Sequence, residues 1–447
     1  MIITLFSLLI LSVALSKLFE VKLEFKFLAI IYPFYWIPFF FSNLIFGVWI
    51  LLIFVFFKNF SSKSIEYTNS FILVFFIFIS ANMALPSTLN DFHGYYIQTI
   101  KWWKEYGVVK GLGNLHGRFA FNSYFLALSS VFSFEFKNLF GSYSFFIFPL
   151  NATFLILLIK EILKIIKSSH DVFIKYFFCG IGLLSIVFFS KWIGTPSNDV
   201  AAGLVTNFLI LFFYKWHLFK EKRYVWIVST IIFLSIVIKL STILSILFLI
   251  PIIFYEKFNF KILLRISIIG VAILFPFFLK NILLSGYLVY PFPEIDLFNF
   301  IWKIPLELVI SEKEAVYTWA RIPGLTKEQL LEYGLLEWIP IWFDRHDILT
   351  KVILIINLFI PLSLIISIIR KEIFFRNLLL ILIPNILFWF IQAPDPRFAF
   401  GYLFSSAIIV LIVIFKRKKS LSFEPITILY AGFFSIVAFY LFYQWPK

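Results

Sequence analysis

The chain has 447 residues, of which 62% are hydrophobic and 14% charged, and a formal net charge of +15. So large an apolar share excludes an ordinary water-soluble globule, and a single cysteine, Cys179, excludes an internal disulfide. The positive charge is no nucleic-acid footprint, because 23 of the 39 Lys and Arg fall in seven clusters between apolar runs (17–26, 58–63, 160–175, 215–223, 257–265, 370–376 and 416–419), the pattern that orients membrane proteins with cationic connections in the cytoplasm.

Apolar runs of the length needed to cross roughly 30 Å of hydrocarbon recur along the chain. Alternation of the barrel type is absent, and backbone groups in lipid must be satisfied internally, so the expected fold is all-α: a polytopic bundle of about 13–15 spans. Residues 1–85 hold spans near 2–18, 27–41, 43–57 and 69–85. The start lacks the basic region and small-residue cleavage site of a signal peptide, so the first span is expected to be retained. Residues 86–135 form a first large extracytoplasmic loop with interfacial helices. Within it, a full crossing by 119–134 would put the basic stretch 160–175 on the wrong side, so that segment is expected to be re-entrant or to lie along the surface.

Residues 136–280 form a transmembrane core, with spans near 143–159, 173–190, 199–214, 224–238, 241–255 and 266–279. Residues 281–347 form an extracytoplasmic cap with ten acidic residues against five basic ones. Its "TKEQ" at Thr326–Gln329 has the spacing of a capping box and predicts a helix start. Residues 348–447 return to the membrane with spans near 349–369, 377–392, 400–415 and 426–443. On this parity four polar segments, 86–118, 191–199, 281–347 and 393–399, face the same non-cytoplasmic side. No internal repeat of the transporter kind is evident.

The first polar segment reads "NDFHGYYIQTIKWWKEYGVVKGLGNLHGR" from Asn90. Helical spacing puts Asp91, Tyr95, Gln98 and Trp102 on one face and Phe92, Tyr96, Ile100 and Trp103 on another, an aromatic helix suited to the lipid–water boundary. Glycines then open a loop in which Lys110, His116 and Arg118 offer donors to an anion. Thr88 and Asp91 also have the spacing of a helix cap, and Asp91, His93 and His116 are a conceivable metal set without a recognised ligand spacing. Asp199 stands at a helix mouth where Ser197 or Asn198 can cap. Lys239 in "IKLST" and Lys280 in "LKNILLSGY" lie at span ends, where lysines either snorkel or bind lipid phosphate. In "QAPDPRFAFGY", Asp395 and Arg397 either staple the turn or, through the guanidinium fork of Arg397, bind phosphate.

The order of these motifs resembles the GT-C superfamily, polytopic glycosyltransferases that use polyprenyl-phosphate-linked sugars, such as the protein O-mannosyltransferases and aminoarabinose transferases. Within it, "YGVVKGLGNLHGRFAFNSYF" is similar to a family of bacterial membrane proteins encoded among surface-polysaccharide functions. The resemblance covers about 69–415 and implies an inverting transferase of the bacterial cytoplasmic membrane with its site on the extracytoplasmic side. Its donor would be a polyprenyl-(di)phosphate sugar and its acceptor a glycan, lipid or protein. Asp91 would be the base that takes the acceptor's proton. Lys239, Lys280, Arg118 and Arg397 would stabilise the leaving phosphate, while Asp199, with Tyr95, His116 and Asp395, would orient substrate. GT-C loops often carry two adjacent acids where this chain has "ND", which leaves no cofactor certain and a divalent metal possible. A polysaccharide polymerase, a lipid-glycan flippase and a non-catalytic scaffold are the competing classes. Ionisable residues gathered at span ends and in loops favour transfer over translocation.

Overall fold

The computed structural model describes residues 78–80, 82–83, 89, 91–137 and 144–415, with 425, 427–428, 431–432 and 435. The expected spans at 2–18, 27–41 and 43–57, and most of those at 69–85 and 426–443, lie outside these residues. What is described is helical apart from one antiparallel ladder of Phe134–Lys137 (β1) and Ser144–Ile147 (β2), in which Phe134 faces Ile147 and Lys137 faces Ser144. The alternating "FEFK" of β1 has the period of a strand, and the ladder takes the first residues of the span expected at 143–159. The helix there starts later, at Leu150, directly after Pro149.

The chain divides into two compact units, 1–107 with 125–204 and 417–447, and 108–124 with 205–416. The first contains a π-turn at Phe92–Tyr96, then α1 (Ile97–Glu105), α2 (Tyr124–Val131), α3 (Leu150–Ser168) and α4 (Val172–Phe189). Asp171 starts α4, its carboxylate accepting from the Phe173 and Ile174 amides, and α3 and α4 pack together. Helix α2 has eight residues and is buried throughout. At a rise of about 1.5 Å per residue it is far too short to cross the hydrocarbon, so 119–134 does not cross as one helix. Asn151 on α3 donates to the carbonyls of Thr195 (2.9 Å) and Ser197 (3.0 Å), fixing the approach to α5 (Asn198–Phe219). Gly194 lies so close to Met83 that a Cβ there would stand 2.7 Å from the Met83 Cα.

The chain enters the second unit within α5 and continues as α6 (Lys222–Ile238), a 3₁₀ stretch at Leu240–Phe248, α7 (Leu249–Tyr255) and α8 (Phe260–Ser285). Asn259 caps the start of α8, and Gly286, with φ 82°, closes its end in the left-handed conformation that favours glycine. Asn281 therefore belongs to α8, and the cap segment begins later than the sequence boundary at 281. It contains α9 (Leu306–Arg321), α10 (Lys327–Leu331) and α11 (Leu335–Asp344). The expected capping box opens α10: Thr326 Oγ1 accepts from the Gln329 amide (3.3 Å), and Gln329 Oε1 accepts from the Thr326 amide (2.9 Å). The span at 349–369 is two helices, α12 (Ile348–Asn357) and α13 (Ile360–Ile369), bent by 46°. Helix α14 (Ile373–Gln392) and α15 (Phe400–Phe415) follow, with α12, α13 and α14 all packing on α15.

Among the described residues four helical segments, Val172–Trp192, α5, α8 and α14, are long and apolar enough to cross a membrane, or five if the bent pair is one span. The nine expected spans that fall on described residues are all built around helix, but several are shorter, bent or more charged than a simple crossing. Lys160, Glu161, Lys164 and Lys167 occupy the second half of α3, and 240–255 is largely 3₁₀. The architecture is compatible with a multi-pass membrane protein.

Candidate functional site

Two polar clusters carry the residues singled out by the sequence, one in each unit. In the first unit the α-helical face assignment for 91–103 fails at its start, because the Ile97 amide bonds back to the Phe92 carbonyl and the turn is π-wound. A turn closed at five residues brings side chains five apart to one side, so Tyr96 joins Asp91 rather than facing away from it. Tyr96 is buried, and its hydroxyl donates to Asn198 Oδ1 at 2.8 Å, at the first turn of α5. The Tyr95 ring meets it edge-on at 4.5 Å. Burial, together with Tyr95 and the charges of Asp199 and Asp91, holds the Tyr96 phenol well above its ordinary pKa. It is therefore a permanent donor at neutral pH. Asp91 is half-buried, whereas Tyr95 and Asp199 are buried.

Asp91 has helical dihedrals itself (φ −61°, ψ −25°) and its side chain does not cap the π-turn that follows, whereas its capping pairing with Thr88 falls outside the described residues. Neither Tyr96 nor Asn198 was among the sequence candidates. The paired "YY" and "SND" were the available signals, and only the π-winding connects them.

In the second unit the glycine-rich loop is fastened at several points. The Gly111 amide donates to the Leu283 carbonyl (2.8 Å) and Asn114 Nδ2 to that of Trp302 (2.8 Å). His116 is a turn-former, its Nδ1 accepting from the Arg118 amide at 3.2 Å. Arg118 Nε donates to Glu312 Oε1 of α9 at 3.3 Å, a carboxylate that sequence reasoning had not paired with it. Gly117 lies against Tyr290 and Glu312: a Cβ there would stand 2.9 Å from the Tyr290 hydroxyl oxygen and 3.1 Å from Glu312 Oε2. Burial and the Glu312 charge push the Tyr290 phenol above its ordinary pKa.

The same loop is tied to the backbone beside each of the two lysines. Asn122 Nδ2 donates to the Phe277 carbonyl of α8 and Ser123 Oγ to the Ile238 carbonyl of α6, each at 2.8 Å. Lys239 follows Ile238 directly, and Lys280 lies one turn beyond Phe277. Lys280 is fully buried, and Lys239 Nζ sits 3.4 Å from the centre of the Phe398 ring. Phe398 belongs to the turn that carries Asp395 and Arg397, so Lys239 meets the fourth polar segment. Arg397 Nε reaches both Asp395 oxygens at 3.2 Å and Nη2 reaches Oδ2 at 2.9 Å. Burial alone would raise the Asp395 pKa, but the charge and hydrogen bonds of Arg397, with Arg345 beyond, outweigh it and hold the carboxyl below its ordinary value.

The indoles of Trp342 and Trp389 donate to the carbonyls of Pro394 and Asp395, each at 2.7 Å, fixing the backbone of this turn. Arg345, missed by sequence reasoning, is held by the Trp319 (3.1 Å) and Ala320 (2.8 Å) carbonyls. Asp395 and Arg397 thus form an ion pair across the turn, one of the two roles the sequence leaves open to them, with Lys239 and Arg345 as further charges around it.

Among the described residues no three His, Cys, Asp or Glu side chains stand close enough together to hold a metal ion. Asp91, His93 and His116 accordingly do not form a ligand set. His93 is exposed, with its ring edge-on to Phe92 at 4.8 Å.

Fold and clusters together define a predominantly helical chain with membrane-length apolar helices, carboxylates gathered around a buried tyrosine in one unit and cations gathered around a proline-rich turn in the other. Residues 2–404 match the family model described as "Domain of unknown function (DUF8201)", and the chain belongs to that family. No curated protein and no solved structure matches it.

Proposed function

We propose that the chain is a glycosyltransferase of the GT-C kind, seated in a bacterial cytoplasmic membrane, that moves a sugar from a polyprenyl-(di)phosphate carrier to a glycan, lipid or protein acceptor on the outer side. One observation carries this reading: two carboxylates distant in sequence, Asp91 and Asp199, converge on the Tyr96 phenol, whose hydroxyl is bonded to Asn198. A half-buried carboxylate beside a fixed donor network is what general-base chemistry requires. In an inverting displacement the acceptor hydroxyl gives its proton to Asp91 while its oxygen forms a bond to the anomeric carbon. The carbon–oxygen bond to the lipid phosphate breaks, and the phosphate leaves with the electron pair. Asp199 orients the reacting sugar or acceptor. The developing phosphate charge calls for cations, and the sequence candidates for that role are Lys239, Lys280, Arg118 and Arg397.

The test uses the full chain reconstituted in lipid with radiolabelled polyprenyl-phosphate sugars and candidate acceptors. Asp91→Asn is expected to lower turnover by at least about a hundredfold, the usual scale for loss of a general base, while donor binding persists. Full turnover by Asp91→Asn would remove it as the base. Movement of the lipid-linked sugar across the bilayer without bond formation would replace the transferase reading with a flippase.

A further inference from the structure

Helix α11, "LLEWIPIWFD", is unusual for an acidic cap segment because apolar residues surround it on nearly every side. Its inner face is settled. Trp338 and Trp342 are buried, stacking on and edging Phe390 of α14 at 5.7 and 5.8 Å, and Trp342 also meets Trp389 at 6.3 Å. These contacts set the helix's height. Trp389 and Phe390 belong to the last turn of α14, a membrane-length helix ending at Gln392. Three residues after α11 ends, the chain starts α12, whose Ile348, Leu349, Val352 and Ile355 are exposed. Helix α11 is therefore level with the ends of two membrane-bound helices.

Away from its inner face, leucines at its start stand exposed and uncovered by any described residue. Leu336 is 90% exposed, Leu335 65%, and Leu331, in the preceding turn, 67%. The exposed side chains of α12 face lipid if α12 and α13 cross the bilayer. Charges on α11 are confined to Glu337 and Asp344, and Glu337 is turned back to accept from the Gly334 amide at 2.9 Å. A helix anchored at span ends, with exposed leucines in its first turn and its two carboxylates turned away from the anchored face, has the composition of an interfacial element.

We propose that α11, with Leu331, is a membrane-interface helix whose Leu331, Leu335 and Leu336 insert into the outer boundary of the hydrocarbon, so that the acidic cap rests on the bilayer. The occupant of this surface is lipid, because the height of α11 is fixed by the last turn of α14, a membrane-length helix, and the chain runs from it directly into the exposed apolar side chains of α12. The inference rests on the membrane reading of the chain but not on the transferase reading.

The single native cysteine is buried, so a thiol-reactive bimane label can be placed at Leu336→Cys in the full-length protein. The labelled protein is reconstituted in phosphatidylcholine vesicles containing lipids with a nitroxide at a shallow or a deep acyl position. The same label at Leu380→Cys, an exposed residue inside α14, serves as a span reference and at Glu294→Cys as an aqueous one. Expected is at least about a twofold loss of Leu336 fluorescence with the shallow nitroxide, and weaker quenching by aqueous iodide than at Glu294, as for a side chain within ~5–10 Å of the headgroup boundary. Iodide quenching equal to that at Glu294, without nitroxide quenching, would overturn the proposal. Protection from both quenchers would also overturn it, because protein would then cover the site. If Leu380 escapes the deep nitroxide as well, the membrane reading itself fails, which separates the two failures.

Discussion

The bond from the Tyr96 hydroxyl to Asn198 Oδ1 joins positions 102 residues apart in a part-buried setting. A double-mutant cycle of Tyr96→Phe, Asn198→Ala and the two combined isolates it. A buried neutral hydrogen bond of good length contributes a net 0.5–1.5 kcal/mol, roughly, while removing one partner alone costs about 1–3 kcal/mol because the other group stays buried and unsatisfied. Tyr96→Phe removes only an oxygen and leaves the ring packed against Tyr95, so its cost should come almost wholly from the Asn198 side. Each single variant should lose about 1–3 kcal/mol of stability, and the double variant should lose about 1 kcal/mol less than the sum. Unfolding by SDS titration in mixed micelles, followed by far-UV circular dichroism, gives the four values. Additivity to within about 0.3 kcal/mol would show that the pair is not coupled, and Asp91 and Asp199 would lose the joint between them.

Two further predictions concern the second unit. Asp395→Asn leaves Arg397 with a neutral partner in a largely buried turn. Breaking such a pair from one side costs about 3–5 kcal/mol, which the same titration reads, whereas the exposed pair Arg223 and Glu221 should respond by less than about 1 kcal/mol when Glu221 is neutralised. Burial and neighbouring Arg345 push the His346 imidazole, which stands edge-on to Trp342 at 5.1 Å, down to about 4. Its folded pKa is lower than the unfolded one, so the unfolded chain binds more protons between these values, and stability falls as pH drops from about 6.5 toward 4. Protection factors of the 335–347 amides against hydrogen exchange should fall over that window in the native chain and stay flat with His346→Phe. An equal fall in both would assign the effect to other groups.

The sequence was informative wherever local chemistry decides structure. The capping box at Thr326 forms with its predicted partners because both its bonds lie within one turn. The Asp395–Arg397 staple forms because two residues of a proline-stiffened turn face each other. The helical cores of the expected spans follow from hydrophobicity alone. What escaped depended on winding or on distant partners. Periodicity arguments assume a turn closed at four residues, and a π-turn closed at five moves Tyr96 to the side of Asp91. The turn that His116 forms through its Nδ1 depends on backbone geometry, and Arg118 meets Glu312 across 194 positions of sequence. The ladder of β1 and β2 was hidden because "SFFI" reads as well as the start of a span as it does a strand.

The bend between α12 and α13 places Asn357 where the helical ladder is interrupted. Its side chain donates to the carbonyls of Ile353 (2.8 Å) and Leu403 (3.1 Å) and accepts from Ser406 of α15. In hydrocarbon, a break in a helix is tolerated only when neighbouring protein satisfies the freed polar groups. Asn357 ties the end of α12 to α15 at the break, so the corner is braced on its α12 side. A bundle braced in this way can redirect one crossing without opening a polar gap to lipid, and can hold the cap segment that precedes α12 at a fixed angle to it.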